Sequence, residues 1–149
     1  MKKIILSMMT VLLVITLVSC TGKENKATEA KVTEAKGPTI EIGTSEKFDS
    51  DEINDAILEV EKKFKLKDTD LLKLWYDEKI SDENIEFYMD YGRGEDIGAK
   101  PENTIVILSD FDVHSVVNEG FSDMKYEKFQ WILVREEKGK PWKIEDMGY

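Results

Sequence analysis

The chain has a single cysteine, Cys20, and a single histidine, His114. A single cysteine excludes a disulfide within the chain. One cysteine and one histidine together are too few to supply the Cys and His ligands of a usual zinc site. The sequence also has no Gly-x-Ser-x-Gly elbow, no phosphate-binding loop and no dinucleotide-binding fingerprint. These absences argue against the common hydrolase, zinc-enzyme and nucleotide-binding motifs, and no cofactor is expected.

Basic side chains are scarce, with 21 Lys and Arg against 31 Asp and Glu, so the formal net charge is −10. The excess lies in residues 46–149, which carry 27 acidic and 15 basic side chains. A domain this acidic is repelled by nucleic acid and by anionic lipid headgroups, so we expect no nucleic-acid partner. A solvated acidic surface is the ordinary interpretation of such a composition.

The one long apolar run is Ile4 to Val18, which follows Met1-Lys2-Lys3. Its 15 residues fit the apolar region of a signal peptide and fall short of the roughly 20 needed for a membrane span. The run ends in Leu17-Val18-Ser19-Cys20, which resembles the bacterial lipobox. That resemblance implies cleavage after residue 19 and a diacylglycerol on Cys20, a near-permanent anchor on the extracytoplasmic face of the cell membrane.

Residues 20–46 have no aromatic side chain and repeat the pattern of Ala27–Lys31 in Val32–Lys36. Such a stretch cannot bury enough apolar surface to offset its ordering entropy. We therefore expect three parts, namely a signal peptide (1–19), a lipidated cysteine with a flexible tether (20–46), and one globular domain (47–149).

Within that domain the patterns predict a helix at 50–65, because Asp49 and Glu52 match a capping box and an apolar stripe follows. Residues 81–91 fit either an alternating strand or a helix capped by Ser81, and we favour the helix. Apolar runs predict strands at 71–76, 104–113 and 126–136 and a last strand that Pro141 opens.

This order predicts an α+β domain, with its N-terminal helix packed on one face of an antiparallel sheet of about four strands that ends in a C-terminal meander. The plan resembles part of the nuclear-transport-factor-two-like and cystatin-like folds, in which a helix lies in a curved sheet. That analogy carries no function, because such folds host both enzymes and binding modules.

Three phrases carry a closer resemblance: Leu74-Trp-Tyr-Asp-Glu78, Ile105-Val-Ile-Leu-Ser-Asp-Phe-Asp-Val113, and Trp131-Ile-Leu-Val-Arg135 with Trp142 to Tyr149. Together they resemble an uncharacterised family of lipoproteins from low-GC Gram-positive bacteria. The resemblance implies a location at the cell surface and lends no mechanism.

Two candidate sites follow from the patterns. Asp110 and Asp112 lie two apart on a strand, so both carboxylates face one way and are the candidate metal ligands, with Asn118, Glu119 and Asp123 able to add oxygens. A curved sheet would place Tyr76, Tyr126 and Trp131 in a ligand pocket. His114 has serines and aspartates nearby, but neighbours on one strand end do not converge into a catalytic triad.

The sequence favours a lipoprotein that acts as a non-enzymatic binding or interaction module and meets a cell-wall or protein partner. The alternative is a surface lipoprotein that binds a small ligand or a cation, and an enzyme ranks last. A buried carboxylate with a perturbed pKa in an aromatic cleft would favour the enzyme.

Overall fold

The computed structural model describes residues 37–64, 68–114 and 121–149, with the backbone alone for Lys63. The expected signal peptide, Cys20 and most of the expected tether lie outside these ranges, as do Asn118 and Glu119. Among the described residues, neither helix has the length and apolar character that a membrane span requires.

The described residues form five strands and two helices, which confirms the predicted α+β class. In chain order they are β1 (Thr39–Glu41), α1 (Ser50–Lys63), β2 (Thr69–Trp75), α2 (Glu78–Tyr91), β3 (Thr104–Val113), β4 (Lys125–Val134) and β5 (Lys143–Gly148), with one 3₁₀ turn at Pro101–Asn103 before β3.

The strands form one open sheet in the order β1-β2-β3-β4-β5. Strands β2 to β5 pair antiparallel, and β3 to β5 make the predicted meander. Strand β1 pairs parallel with β2, so the sheet is mixed and five-stranded instead of antiparallel and four-stranded. Because β1 lies in the segment expected to be a tether, the folded unit begins before Lys47.

The helices cover opposite faces of the sheet, which corrects the expectation that only one face is covered. Side chains alternate along β3, so Ile105 and Ile107 pack in the cluster under α1, while Val106 and Leu108 pack with Ile85 of α2. The α1 cluster is the larger core and holds most of the buried aromatic rings.

Local capping explains where the helices begin. The Asp49 carboxylate accepts the Glu52 N–H and the Glu52 carboxylate accepts the Asp49 N–H, as the capping box predicts. Helix α2 is capped by Asp77, whose carboxylate accepts the Ile80 N–H, and not by Ser81. Ser81 is buried inside the helix, where its hydroxyl accepts the Val106 N–H of β3.

Candidate functional site

A hollow of about 130 Å³ lies between α2 and the β4–β5 part of the sheet. Helix α2 packs on β3 and leaves the neighbouring part of the same sheet face, formed by β4 and β5, uncovered. Phe87 and Tyr88 of α2 line one side, Gln130 and Ile132 of β4 lie beneath, and Asp146 of β5 lies opposite. We call this hollow the α2–β5 groove.

The buried hydroxyl of Tyr88 is the unusual group in the groove. Tyr88 is only 3% exposed, and its hydroxyl has no hydrogen-bond partner among the described residues. Burial raises the pKa of Tyr88, and the nearby carboxylates of Asp146 and Glu145 raise it further against the opposing effect of Arg93. The phenol therefore stays neutral and keeps a proton to donate, and a buried hydroxyl without a partner costs roughly 1–3 kcal/mol.

Exposed aromatic rings stand around this hollow. Phe87 is 64% exposed, Tyr91 is 78% exposed, and their ring centroids lie 5.2 Å apart. Tyr149 reaches the end of the groove, but its ring lies against Tyr126 and Phe129 of the core under α1, with centroid distances of 6.3 and 5.5 Å. The outward side of α2 that holds Phe87 and Tyr91 also carries exposed carboxylates, those of Glu83, Glu86 and Asp90. We call the α2 residues Glu83, Glu86, Phe87, Asp90 and Tyr91 the acidic–aromatic face.

A second cluster of polar groups lies on the other face of the sheet and ties α1 to the end of β4. The guanidinium of Arg135 lies 2.7 Å from the Glu52 carboxylate and 4.3 Å from the centre of the Trp142 ring. Burial by itself raises the pKa of Glu52, but the hydrogen bond from the Asp49 N–H and the pairing with Arg135 outweigh it and lower the pKa. Arg135 Nε has no hydrogen-bond partner among the described residues, so the pairing with Glu52 does not satisfy every polar atom of the guanidinium. Because the ion pair joins α1 to the end of β4, we assign it a structural role.

The three residues predicted to line one aromatic pocket do not do so. Tyr126 and Trp131 belong to the core under α1, where Tyr126 stacks on Phe111 and the Trp131 indole donates to Ser109 Oγ at 2.9 Å. Tyr76 is buried too, beside a separate acidic hollow at the start of α2. The prediction fails because α1 fills the face of the sheet that was expected to be hollow.

Asp110 and Asp112 lie on one face of β3 as predicted, but Asp110 already has a structural partner. Strand β4 has an extra residue opposite Asp110, and Lys128 there adopts φ 57°. The Asp110 carboxylate accepts the Lys128 N–H at 2.9 Å. Within the described ranges no three His, Cys, Asp or Glu side chains are grouped to hold a metal ion. Metal binding by the pair stays a prediction.

His114 forms a pair with a residue that sequence spacing did not suggest. Its Nε2 lies 3.0 Å from Asp70 Oδ2 on β2, and both side chains are exposed. The hydrogen bond to Asp70 raises the pKa of His114. Ser109 is instead buried and accepts the Trp131 indole N–H, so the structure does not bring Ser109 and His114 together.

The residues of the groove were missed by the sequence analysis. In a helix over residues 81–91 the side chains of Ile85, Tyr88 and Met89 form one stripe, and in the structure all three face inward. Phe87 and Tyr91 lie off that stripe, four residues apart, among acidic neighbours. Two aromatic rings on the solvent side of an amphipathic helix are a sequence signal for an exposed aromatic surface. The signal can be read only if residues 81–91 are taken as a helix, because in a strand Phe87 and Tyr91 would lie on the same side as Ile85 and Met89.

The comparisons with known proteins give one match. The profile of a family described as "Domain of unknown function (DUF4829)" matches residues 44–148, a span that includes every element from α1 to β5. No curated protein and no solved structure gives a significant match.

Proposed function

The chain belongs to the DUF4829 family, and we propose that it is an extracytoplasmic lipoprotein whose domain acts as a binding module without enzymatic chemistry. The observation that carries the proposal is the α2–β5 groove, where an unpartnered buried hydroxyl meets exposed aromatic rings. Large exposed apolar groups gathered in one place are typical of interaction sites, whereas scattered ones are ordinary.

The groove combines the two parts that binding sites commonly need. Phe87 and its neighbour Tyr91 offer rigid aromatic area that loses little side-chain entropy on binding. The Gln130 amide and the Asp146 carboxylate offer polar groups that orient a ligand.

The binding role is tested without assuming the ligand. The full chain in non-ionic detergent is screened by NMR against small aromatic, amide and ammonium fragments. We expect shift changes that cluster on Tyr88, Gln130 and Asp146, and we expect Phe87→Ala to weaken them. Leu58→Ala, an exposed apolar change on α1, is the matched control. Fragments that cluster elsewhere, or none that bind, would overturn the groove as the binding site.

The membrane anchor rests on the order of the charged start, the apolar run and the lipobox at Cys20. Expression in a Gram-positive host with radiolabelled palmitate should label the parent chain. Cys20→Ser removes the thiol that accepts the glyceride, so we expect the label to disappear and uncleaved precursor or released protein to accumulate. Ser19→Ala, which keeps a small residue before the cysteine, should still be labelled. Label on Cys20→Ser would refute the anchor.

A further inference from the structure

The charge of the acidic–aromatic face narrows the class of partner. Helix α2 carries five carboxylates and one lysine, Lys79. Glu83 has a weak ion pair with that lysine at 3.8 Å, whereas Glu86 and Asp90 have no ion-pair partner among the described residues. The face therefore presents two aromatic rings flanked by unneutralised negative charge.

The groove beside this face has the same sign. Asp146 and Glu145 raise the pKa of the Tyr88 hydroxyl, and Arg93 opposes them. Asp146 is exposed, and among the described residues its carboxylate accepts the N–H of its neighbour Met147. A positive group that entered the groove would meet the Asp146 carboxylate and the ring of Phe87.

From this arrangement we infer that the groove and the acidic–aromatic face dock a basic peptide segment, with one Lys or Arg side chain in the groove and apolar neighbours on Phe87 and Tyr91. The inference rests on the proposed binding role and names the partner's chemistry. Lys and Arg side chains are attracted both to carboxylates and to the faces of aromatic rings within about 6 Å.

Other occupants fit the charges less well. In a symmetric dimer built on this face, Glu86 and Asp90 would meet the same carboxylates of the second copy, and like charges repel. Anionic lipid headgroups are repelled for the same reason. A neutral ligand would leave the carboxylates without a role, whereas a basic segment uses both the rings and the charges.

The test uses the full chain in non-ionic detergent and a fluorescein-labelled peptide in which Lys and Leu alternate. Fluorescence anisotropy gives its Kd. We expect the matched peptide with Gln in place of Lys to bind at least about tenfold more weakly, a difference of about 1.4 kcal/mol. Binding of the basic peptide should weaken as salt is raised, because screening shortens the range of exposed charges. Equal affinity for both peptides would overturn the inference.

A double variant and its control locate the contact. The double variant Phe87→Ala/Tyr91→Ala should raise the Kd at least about tenfold, as expected for aromatic hot spots. Met124→Ala, another exposed apolar change away from the groove, should leave it unchanged. The melting temperature of each variant is measured alongside, and because these side chains are exposed we expect it to stay within a few degrees of the parent.

The charge variants separate specific docking from general attraction. Glu86→Gln with Asp90→Asn should weaken binding by several-fold. Asp51→Asn with Asp55→Asn makes the same change in net charge on exposed residues of α1 and should have little effect. Equal losses in both would show non-specific attraction to an acidic protein and overturn the inference. If fragments occupy the groove but the basic peptide does not bind, the binding role stands and the partner's chemistry is wrong.

Discussion

Arg135, one of only two arginines, is almost completely buried at the end of β4. A buried cation is tolerated only when it is paired. Its guanidinium meets the Glu52 carboxylate at 2.7 Å and lies over the Trp142 ring, and the Trp142 indole donates to the Glu52 carbonyl at 3.0 Å. Three residues far apart in sequence thus hold α1 against the β4–β5 turn.

Breaking this pair should be costly and pH-dependent. Glu52→Gln leaves the Arg135 charge buried without a counter-ion, so we expect the free energy of unfolding at pH 7 to fall by about 3–5 kcal/mol. Because the pKa of Glu52 is lowered in the folded state, the contribution is present above its unfolded pKa and is lost as the pH falls through the folded pKa. Urea unfolding at several pH values should show the parent and Glu52→Gln converging in acid. Asp55→Asn is the exposed control on the same helix, and a constant gap at all pH values would contradict the argument.

Trp142 supports the same joint by packing. Its ring lies edge-on to Phe48 at 5.8 Å and belongs to the main core, against which Ile144 also packs. We expect Trp142→Ala to lower the free energy of unfolding by about 3–5 kcal/mol, since a large buried ring leaves a cavity. Tyr91→Ala, which removes an exposed ring of α2, should change it by less than about 0.5 kcal/mol. Similar values from urea unfolding of the two variants would show that the turn is peripheral.

The bulge in β4 gives Asp110 its role. Lys128 has φ 57°, a conformation that costs a residue with a side chain roughly 1–2 kcal/mol. Lys128→Gly should therefore raise the free energy of unfolding by up to about 1 kcal/mol. Asp110→Ala leaves the Lys128 N–H without its charged acceptor and should lower it by about 1.5–3 kcal/mol. Asp112→Ala is the matched control, and if it proves as costly as Asp110→Ala in urea unfolding, the bulge contact is not what Asp110 provides.

At the scale of elements, local signals predicted most of the fold. Strand β3 has the predicted bounds, and α1 begins at the predicted cap because both depend on neighbouring residues alone. Helix α2 starts earlier than predicted, because Asp77 and not the predicted Ser81 caps it. Packing of Ser81 against Val106 of β3 decides between them, and one sequence does not show that contact.

Long-range contacts explain the elements that the sequence did not reveal. Strand β1 is three exposed residues whose order comes from parallel pairing with β2, more than thirty residues away. The α2–β5 groove depends in the same way on how far α2 lies from β4 and β5. A pattern of apolar residues predicts which side of a helix faces inward, but not which strands that side leaves open.

The segment before α1 is held to α2 by the carboxylates of Glu78 and Asp82, and Asp82 forms an ion pair with Lys47 at 2.5 Å. Glu78 accepts hydrogen bonds from the Ser45 hydroxyl at 2.5 Å and from the Glu46 N–H at 2.9 Å, with the Lys47 N–H at 3.3 Å. The Ser45 hydrogen bond lowers the pKa of Glu78, and the two backbone N–H groups add to that shift. The contact therefore fixes the chain between β1 and α1 while the carboxylate is ionised.

Amide hydrogen exchange tests this contact. Glu78→Gln should reduce the protection factors of the Glu46 and Lys47 amides at pH 7, because a neutral amide is a weaker acceptor than a carboxylate. In the parent, protection should be present above the unfolded pKa of Glu78 and disappear as the pH falls through its lowered folded pKa. Glu83→Gln, on the same helix, should not change these amides. Unchanged protection in Glu78→Gln would show that the segment is held by other contacts.

At the scale of the whole molecule, the described structure has two cores of different size. The α1 face gathers most of the buried rings, whereas the α2 face buries a smaller set of residues, among them Ser81, Ile85, Tyr88, Val106 and Leu108. The smaller core leaves Phe87 and Tyr91 in solvent and the outer strands uncovered. The larger core and the proposed binding groove thus lie on opposite faces of one sheet.

The net charge sets the last expectation, a dependence of stability on salt. Residues 46–149 carry 12 more acidic than basic side chains, so at neutral pH many carboxylates have no cation to pair with. Salt weakens both their mutual repulsion and the surface ion pairs, such as Lys125–Glu127. Exposed pairs contribute only about 0–1 kcal/mol each, and their geometry is easily lost. The repulsion acts across the whole domain, so its relief should be the larger effect.

We therefore expect the melting temperature at pH 7 to rise by a few degrees as sodium chloride increases from about 0.01 M to about 0.5 M, over which the screening length falls from about 30 Å to below 8 Å. Circular dichroism of the full chain in non-ionic detergent measures it. Replacing exposed Glu86 by Gln and exposed Asp90 by Asn removes two carboxylates that have no ion-pair partner among the described residues, so this variant should start higher and gain less from salt. Replacing exposed Lys138 and Lys140 by Gln makes the opposite change and should gain more. A melting temperature that falls with salt would mean that attractive ion pairs dominate over repulsion. The surface carboxylates would then be neutralised by cations of the same domain and would not be free to bind a basic partner.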